Sequence, residues 1–376
     1  MATHKILHII PSLIEGGAER LALDICIELS KRANIEVLLV ALNGKNDYPQ
    51  LSSQLNYQVI PSKFIPSIKG KPTIETAALM QFIQNFKPDI IHSHLYEAEL
   101  ASRHEVLKGV KYFTHCHDNM KQLKKFSLQV MQSKSAFTDY YERALLLKAY
   151  EKCNNSFIAI SKHTYDYFIE NLPKQFHSRI YLQHNAIHFQ RFYAAFSSRK
   201  SKPLKLINVG TFVAKKNQAF LVDVVNALVQ KNIAVHLTML GEGALRKNVE
   251  QKVKTLGLSA HISMPGNVED VPEYLKDANI YVHSATYEPF GLVLIEAMAA
   301  GLPVVSLDGG GNRDIIENGK NGYLISEQNA EKFASTVLTL ANNESIYEQM
   351  SKYSVEFAQK FDIKNYVEKL IELYNR

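Results

Sequence analysis

The chain has 376 residues, of which 46% are hydrophobic and 21% charged, with 43 Lys and Arg against 37 Asp and Glu. That composition excludes a disordered or fibrous protein, and the length favours two domains of ordinary size. No apolar run approaches the roughly 20 residues that span a bilayer, and Cys26, Cys116 and Cys153 have neither the even count of a disulfide framework nor the spacing of a metal site.

The N-terminus reads as a short strand ending near Pro11 rather than as a signal peptide, so a cytoplasmic protein is expected. Further strands are predicted at Glu36–Leu42, Tyr57–Ile60, Asp89–His92, Lys111–His115, Ser156–Ile160 and Ile180–Gln183. Helical patterns fill the gaps, as in Ala18–Arg32, where Leu21, Ala22, Ile25 and Leu29 share a face. The polar run Ser197–Pro203 reads as a linker. The alternation then restarts with strands at Leu204–Val209, Ala234–Leu240, Ile262–Met264, Ile280–Ser284 and Pro303–Ser306, and a helix at Asn217–Gln230. The expected fold is α/β: two Rossmann-like, doubly wound domains, residues 1–198 and 204–358, facing a central cleft. Residues 359–376 form a last amphipathic helix that crosses back to the N-terminal domain, its stripe being Ile363, Tyr366, Val367, Leu370, Ile371 and Tyr374.

Charge divides unevenly: residues 1–200 hold 25 basic and 17 acidic side chains, residues 201–376 hold 18 and 20. Arg103–Lys152 alone holds ten basic and five acidic residues, interleaved with Phe126, Leu128, Val130, Met131 and Leu145–Leu147. Two readings stand: ordinary solvated helices, or a surface resting on anionic lipid headgroups. Nucleic acid is not an expected partner, because no recognition motif accompanies the charge.

Ligands of open α/β sheets bind at strand carboxyl ends. The first strand runs into Gly16-Gly17 before a helix, which suits a phosphate but equally a tight turn. The strand Lys111–His115 runs into His115-Cys116-His117-Asp118, where a histidine can orient a hydroxyl. Successive side chains there alternate between faces, so no metal centre is expected. The strongest signal is Glu288, in a loop after a strand, followed eight positions later by Glu296 amid Val293, Leu294, Ile295, Ala297 and Met298. Phe290, Gly291 and Leu292 lie at the helix start between them, where amides are unpaired. Glu296 is expected on the helix face near Glu288 but deeper. Carboxylates in this arrangement accept from the hydroxyl pairs of a sugar and a ribose.

This segment resembles the E-x7-E motif of glycosyltransferase family 4, the retaining group with the GT-B fold. Gly16-Gly17, His117-Asp118, Lys216-Asn217, Gly241-Glu242-Gly243, Gly309-Gly310-Gly311 and Asn318–Gly322 follow in the family's order across nearly the whole chain. The resemblance makes residues 1–198 the acceptor side and 204–358 the donor side. It implies that Glu288 holds donor-sugar hydroxyls beside the amides of Phe290, Gly291 and Leu292, that Glu296 holds the ribose, and that Lys216 neutralises the diphosphate. Gly16 and Gly17 would face the phosphates, His117 the sugar, and Gly241 and Gly243 the nucleotide. Thr211 stands where many members carry Arg, with Lys215 as a substitute cation in the donor-binding set. Asn185-Ala186-Ile187-His188 replaces the usual Asn-Gly-Ile-Asp.

No Asp-x-Asp pair occurs, and neither a metal nor another cofactor is expected. The function so implied is a metal-independent retaining hexosyltransferase. It would move a hexose or N-acetylhexosamine from a UDP- or GDP-linked sugar to a saccharide or lipid-linked acceptor, in bacterial surface polysaccharide synthesis, with the protein at most peripheral to the inner membrane face. The alternatives are a GT-B nucleotide-sugar epimerase, a catalytically impaired sugar-nucleotide-binding subunit and, with no dinucleotide fingerprint to support it, a nicotinamide oxidoreductase.

Overall fold

The computed structural model describes residues 4–67, 71–125, 134–194 and 202–376. Two compact units divide the chain: residues 1–185 with 363–376, and residues 186–362. Most of the expected linker Ser197–Pro203, and Phe126, Leu128, Val130 and Met131 of the basic stretch, lie outside the described residues.

The first unit is built on seven parallel strands: β1 (His4–Ile10), β2 (Ile35–Ala41), β3 (Tyr57–Val59), then, beyond an antiparallel hairpin β4 (Lys63–Ile65) and β5 (Thr73–Glu75), β6 (Ile90–His94), β7 (Lys111–Cys116), β8 (Ser156–Ala159) and β9 (Ile180–Leu182). Their order is β3-β2-β1-β6-β7-β8-β9. Apolar runs fill the strands because helices cover both faces, as a parallel sheet requires. The helix Gly17–Leu29 buries Leu21, Ala22, Ile25 and Leu29, the face that periodicity predicts. Leu146 and Leu147 of the helix Lys134–Cys153 pack inward with Phe157 and Phe168 rather than facing outward. The helix Ile363–Tyr374 belongs to this unit and buries Ile363, Tyr366, Val367, Leu370, Leu373 and Tyr374, with Ile371 half-buried at the margin of the stripe. Polar contacts fix it: Arg32 pairs with Glu368 at 2.5 Å, Lys111 Nζ donates to the Tyr374 carbonyl, and Gln183 Nε2 to that of Tyr366.

The second unit has six parallel strands, β10 (Leu204–Val209), β11 (Val235–Leu240), β12 (Ile262–Gly266), β13 (Ile280–His283), β14 (Val304–Leu307) and β15 (Gly322–Ile325), ordered β12-β11-β10-β13-β14-β15. Its core joins Leu206, Leu237, Ile280 and Val305 of the sheet to Phe220, Leu221, Val225 and Phe333 of covering helices. In both sheets strand order reverses once, between β1 and β6 and between β10 and β13. Such a switch point leaves a crevice outside the strand ends, because the flanking connections run to opposite faces.

Candidate functional site

At the second switch point the loops after β10 and β13 bring together three side chains. The loop after β10 ends in a short 3-10 turn, Ala214–Lys216, held by Gln218 Nε2 donating to the carbonyls of Gly210 and Thr211. From it Lys216 Nζ reaches Glu288 Oε2 at 2.5 Å. His283, the last residue of β13, places Nε2 3.2 Å from the same oxygen. Ser284 Oγ donates to the Lys216 carbonyl and the Thr286 amide to that of Lys215, tying the two loops together.

Glu288 is buried, with 8% of its side chain exposed, against 21% for Lys216. Burial alone would raise its pKa, but the Lys216 charge and the hydrogen bond from His283 prevail and hold it at about 2. Burial keeps the His283 imidazole below its ordinary value, so it is neutral near pH 7; its Nδ1 is buried without a partner, which makes Nε2 the protonated donor to Glu288. The depressed Glu288 value has a consequence for stability. A carboxylate whose folded pKa lies below its ordinary 4.5 contributes stability that is complete above that value and lost as pH falls towards about 2. Thermal unfolding followed between pH 5 and pH 2 should fall less steeply in Glu288→Gln than in the native chain; identical slopes would show that Glu288 is not held ionised by its partners.

The glycine-rich loop after β14 explains how an acid sits this deep. The Glu288 amide donates to the Gly309 carbonyl at 2.7 Å, and the Gly311 amide to the Glu288 carbonyl at 2.8 Å. A Cβ on Gly311 would stand 1.9 Å from the Pro289 oxygen, so a side chain there would displace the loop bearing Glu288. Asn312 locks the turn from inside, donating to Ser306 Oγ and the Leu307 carbonyl while accepting from the Gly309 amide. Gly291, with φ +106°, caps the helix Leu292–Ala299; Phe290 is buried behind it, and Leu292 opens the first turn. Glu296 lies one turn further along this helix, half-buried. Glu288, not Glu296, is thus the deeper acid, because Glu288 lies on a strand-like stretch bridged to Gly310 rather than on the helix.

Other expected residues fall nearby with different local tasks. Thr211 and Lys215 are exposed, and Lys215 Nζ lies over the Tyr287 ring, 5.6 Å from its centroid. Gly241 and Gly243 adopt positive φ, and a Cβ on either would meet the carbonyl oxygen of Gly210 or Phe212 within 2.6 Å. These glycines let the loops after β10 and β11 touch one another. That packing accounts for them without a ligand.

The first switch point carries a separate polar group. Gly16 caps the helix Gly17–Leu29 in an extended conformation, its amide donating to Tyr48 Oη and its carbonyl accepting from the same hydroxyl. His117 follows β7 and is half-buried. Its ring stacks on His115 at 4.1 Å and meets His94 at 2.9 Å. His8 on β1, and His92 and His94 on β6, complete a row that sequence reasoning missed. The signal was a histidine at alternate positions in two adjacent strands, with His94 in register with His115. Ring nitrogens of His8, His92 and His94, and those of His94, His115 and His117, lie within 4.8 Å of one another. Alternation along one strand therefore does not keep these histidines apart, since neighbouring strands supply the rest of each group.

Comparison with known proteins finds two family models that tile the chain: "Glycosyltransferase Family 4" over residues 15–191 and "Glycosyl transferases group 1" over residues 190–357. Among curated relatives, the poly(ribitol-phosphate) alpha-N-acetylglucosaminyltransferase of Staphylococcus aureus is 30% identical over 170 residues, 45% of this chain and 34% of that protein. The putative glycosyltransferase EpsD of Bacillus subtilis is 29% identical over 160 residues, 43% of this chain and 42% of its own. The match thus spans less than half the length of these relatives. Solved structures align over far more: Anabaena HepE in complex with UDP superposes with a TM-score of 0.78 at 18% identity over 98% of each chain. WaaG, a glycosyltransferase involved in lipopolysaccharide biosynthesis, gives 0.72 at 17% identity over 98% of this chain and 99% of its own. Among the described residues no helix is long and apolar enough to cross a membrane.

Proposed function

The chain belongs to glycosyltransferase family 4 and has the GT-B fold, and from that premise we propose that it is a retaining hexosyltransferase using a nucleoside-diphosphate sugar. The observation that carries this reading is the Lys216–Glu288–His283 group at the switch point of the second sheet, beside the start of the helix Leu292–Ala299. A cation, an ionised acid and helix-start amides fit a donor that is anionic at the diphosphate and rich in hydroxyls at the sugar. On binding, Lys216 exchanges its contact with Glu288 for the diphosphate, and Glu288 accepts from sugar hydroxyls. The bond from the anomeric carbon to the phosphate oxygen breaks as an acceptor hydroxyl attacks the same face. The acceptor proton passes to the departing oxygen, so Glu288 need not act as nucleophile. Trapping of a covalent glycosyl-enzyme would refute that route.

UDP is the favoured donor nucleotide, on the likeness to a chain solved with it. The acceptor class, a saccharide or lipid-linked intermediate of surface polysaccharide, rests on the likeness to a poly(ribitol-phosphate) N-acetylglucosaminyltransferase and to a glycosyltransferase of lipopolysaccharide biosynthesis. Peripheral contact with anionic headgroups rests on the charge of residues 103–152 alone, since Leu146 and Leu147 point inward. The test is a panel of UDP- and GDP-sugars with and without glycan acceptors, read by product NMR. An α-linked product from an α-linked donor supports the proposal; epimerised free sugar, or binding without turnover on any acceptor, opposes it. Within that reading Glu296 accepts from the ribose diol. Glu296→Ala should then weaken nucleotide affinity by roughly 1.5–3 kcal/mol, as expected for a hydrogen bond to a charged group. Calorimetric titration that finds unchanged affinity would remove the ribose assignment.

A further inference from the structure

Four histidines of the first unit form one hydrogen-bonded chain with Tyr374. His92 Nδ1 lies 2.5 Å from Tyr374 Oη, which lies 3.4 Å from His8 Nε2. His8 Nδ1 lies 2.9 Å from His94 Nε2, and His94 Nδ1 lies 2.9 Å from His117 Nε2. A neutral imidazole has one N–H and one lone pair, so when both nitrogens of His8 and His94 are engaged the protons must all point the same way. Burial above all, together with neighbouring imidazoles, holds these histidines well below their ordinary range, His8 at about 3. All four are therefore neutral near pH 7.

The far end decides the direction. His92 Nε2 is buried without a partner. If Tyr374 gave its proton to His92, that orphaned nitrogen would carry an N–H, and orphaned buried donors are rarer than unpaired acceptors. His92 Nδ1–H therefore donates to Tyr374. The buried Tyr374 O–H, whose partners among the described residues are His92 and His8, would be orphaned unless it donates to His8. His8 then donates to His94, and His94 to His117 Nε2. His115 obeys the same rule: Nε2 donates to Asn185 Oδ1 at 3.3 Å, and the unpartnered Nδ1 is a lone pair. From this geometry we infer that His117 is fixed as its Nδ1–H tautomer, a neutral donor toward a substrate oxygen, with Tyr374, His8 and His94 as the positioning residues that fix it. His117 Nδ1 has no hydrogen bond to the described residues, so this N–H is available. The choice of a sugar hydroxyl or phosphate oxygen as its acceptor rests on the function proposed above; the tautomer does not.

A long-range 1H–15N spectrum of histidine-labelled protein, without substrate, reads the protonated nitrogen of each ring. His94→Gln and His117→Gln serve to assign signals by their loss. The expected pattern is Nδ1–H for His8, His92, His94 and His117 with Nε2–H for His115. An Nε2–H signal from His117 would overturn the inference, whatever the protein's activity. So would stoichiometric calorimetric binding of Zn2+ lost in His94→Gln, because a metal needs lone pairs where the chain has protons. In the transferase assay, His117→Asn, whose amide can place an N–H near the Nδ1 position, should keep at least several-fold more turnover than His117→Ala. Equal loss in the two variants, with the spectrum as expected, would count against the transferase reading of His117 and leave its tautomer intact.

Discussion

Replacing Lys216 with alanine should lower turnover by about 100-fold to 1,000-fold, the cost of removing one preorganised charge from a developing oxyanion. Two losses combine. The departing diphosphate loses the ammonium that the loop after β10 aims at the switch point, and Glu288 loses the charge that keeps it ionised while buried. Neither neighbour takes over as placed: Lys215 is exposed with its ammonium over Tyr287, and Thr211 is uncharged. The double variant Lys216→Ala with Thr211→Arg restores a cation beside the same loop and should regain part of the activity. Steady-state kinetics on the three proteins decide the matter. Turnover above about a tenth of native in Lys216→Ala would mean that backbone amides carry the leaving group, since a tenfold loss is only about 1.4 kcal/mol.

The second half of the chain was legible because its signals are local and strong. Leu204–Val209 carries Leu204, Leu206, Ile207 and Val209 between Pro203 and Gly210, and the strand occupies those residues. The segment from Ser284 to Val305 showed a strand, a glycine-broken loop and a helix, and Glu288 stood out in that loop with Glu296 eight positions later amid apolar residues. The partners of Glu288 were half visible: Lys216 was named, though for the diphosphate rather than for Glu288, and His283 was not, since one histidine ending a buried strand resembles any other. Strand β15 was not among the predicted strands, although Asn318–Gly322, which runs into its first residue, was singled out. Gly322 is there for closeness to β14, where a Cβ would stand 2.2 Å from the Val304 oxygen. The hairpin β4–β5 is short and largely exposed, so it leaves no hydrophobic alternation to find.

The histidine row shows a different limit. His8, His92 and His94 are separated along the chain, and only parallel pairing places His8 beside His92 and His94 beside His115. Polar residues within otherwise apolar strands look like interruptions in a sequence, whereas in a sheet they become a column. The closing partner, Tyr374, comes from the last helix, and no local pattern links it to a strand near the beginning.

Ending the chain after Phe361 should unfold the first unit at markedly lower temperature, not merely trim a tail. The helix Ile363–Tyr374 buries the aliphatic side chains Ile363, Val367, Leu370 and Leu373 together with Tyr366 and Tyr374. At about 1.5–3 kcal/mol for each aliphatic side chain, their loss approaches the roughly 5–15 kcal/mol that stabilises a whole domain. The cut would also uncover the histidine row, leave Glu28 with fewer ordered neighbours once Arg32 loses Glu368, and free Lys111 and Gln183 from their carbonyl partners. For a unit of this size each kcal/mol moves the melting temperature by about 2–4 °C, so a drop well beyond 10 °C is expected. The second unit buries its own core without this helix, and its transition should stay in place. Two-transition melting followed by circular dichroism, with limited proteolysis to identify the unit that opens, separates these outcomes. An unchanged profile in the 1–361 chain would mean that residues 4–185 hold their sheet without the helix. A shift confined to the second unit would mean that the helix stabilises the wrong body for the role given to Tyr374.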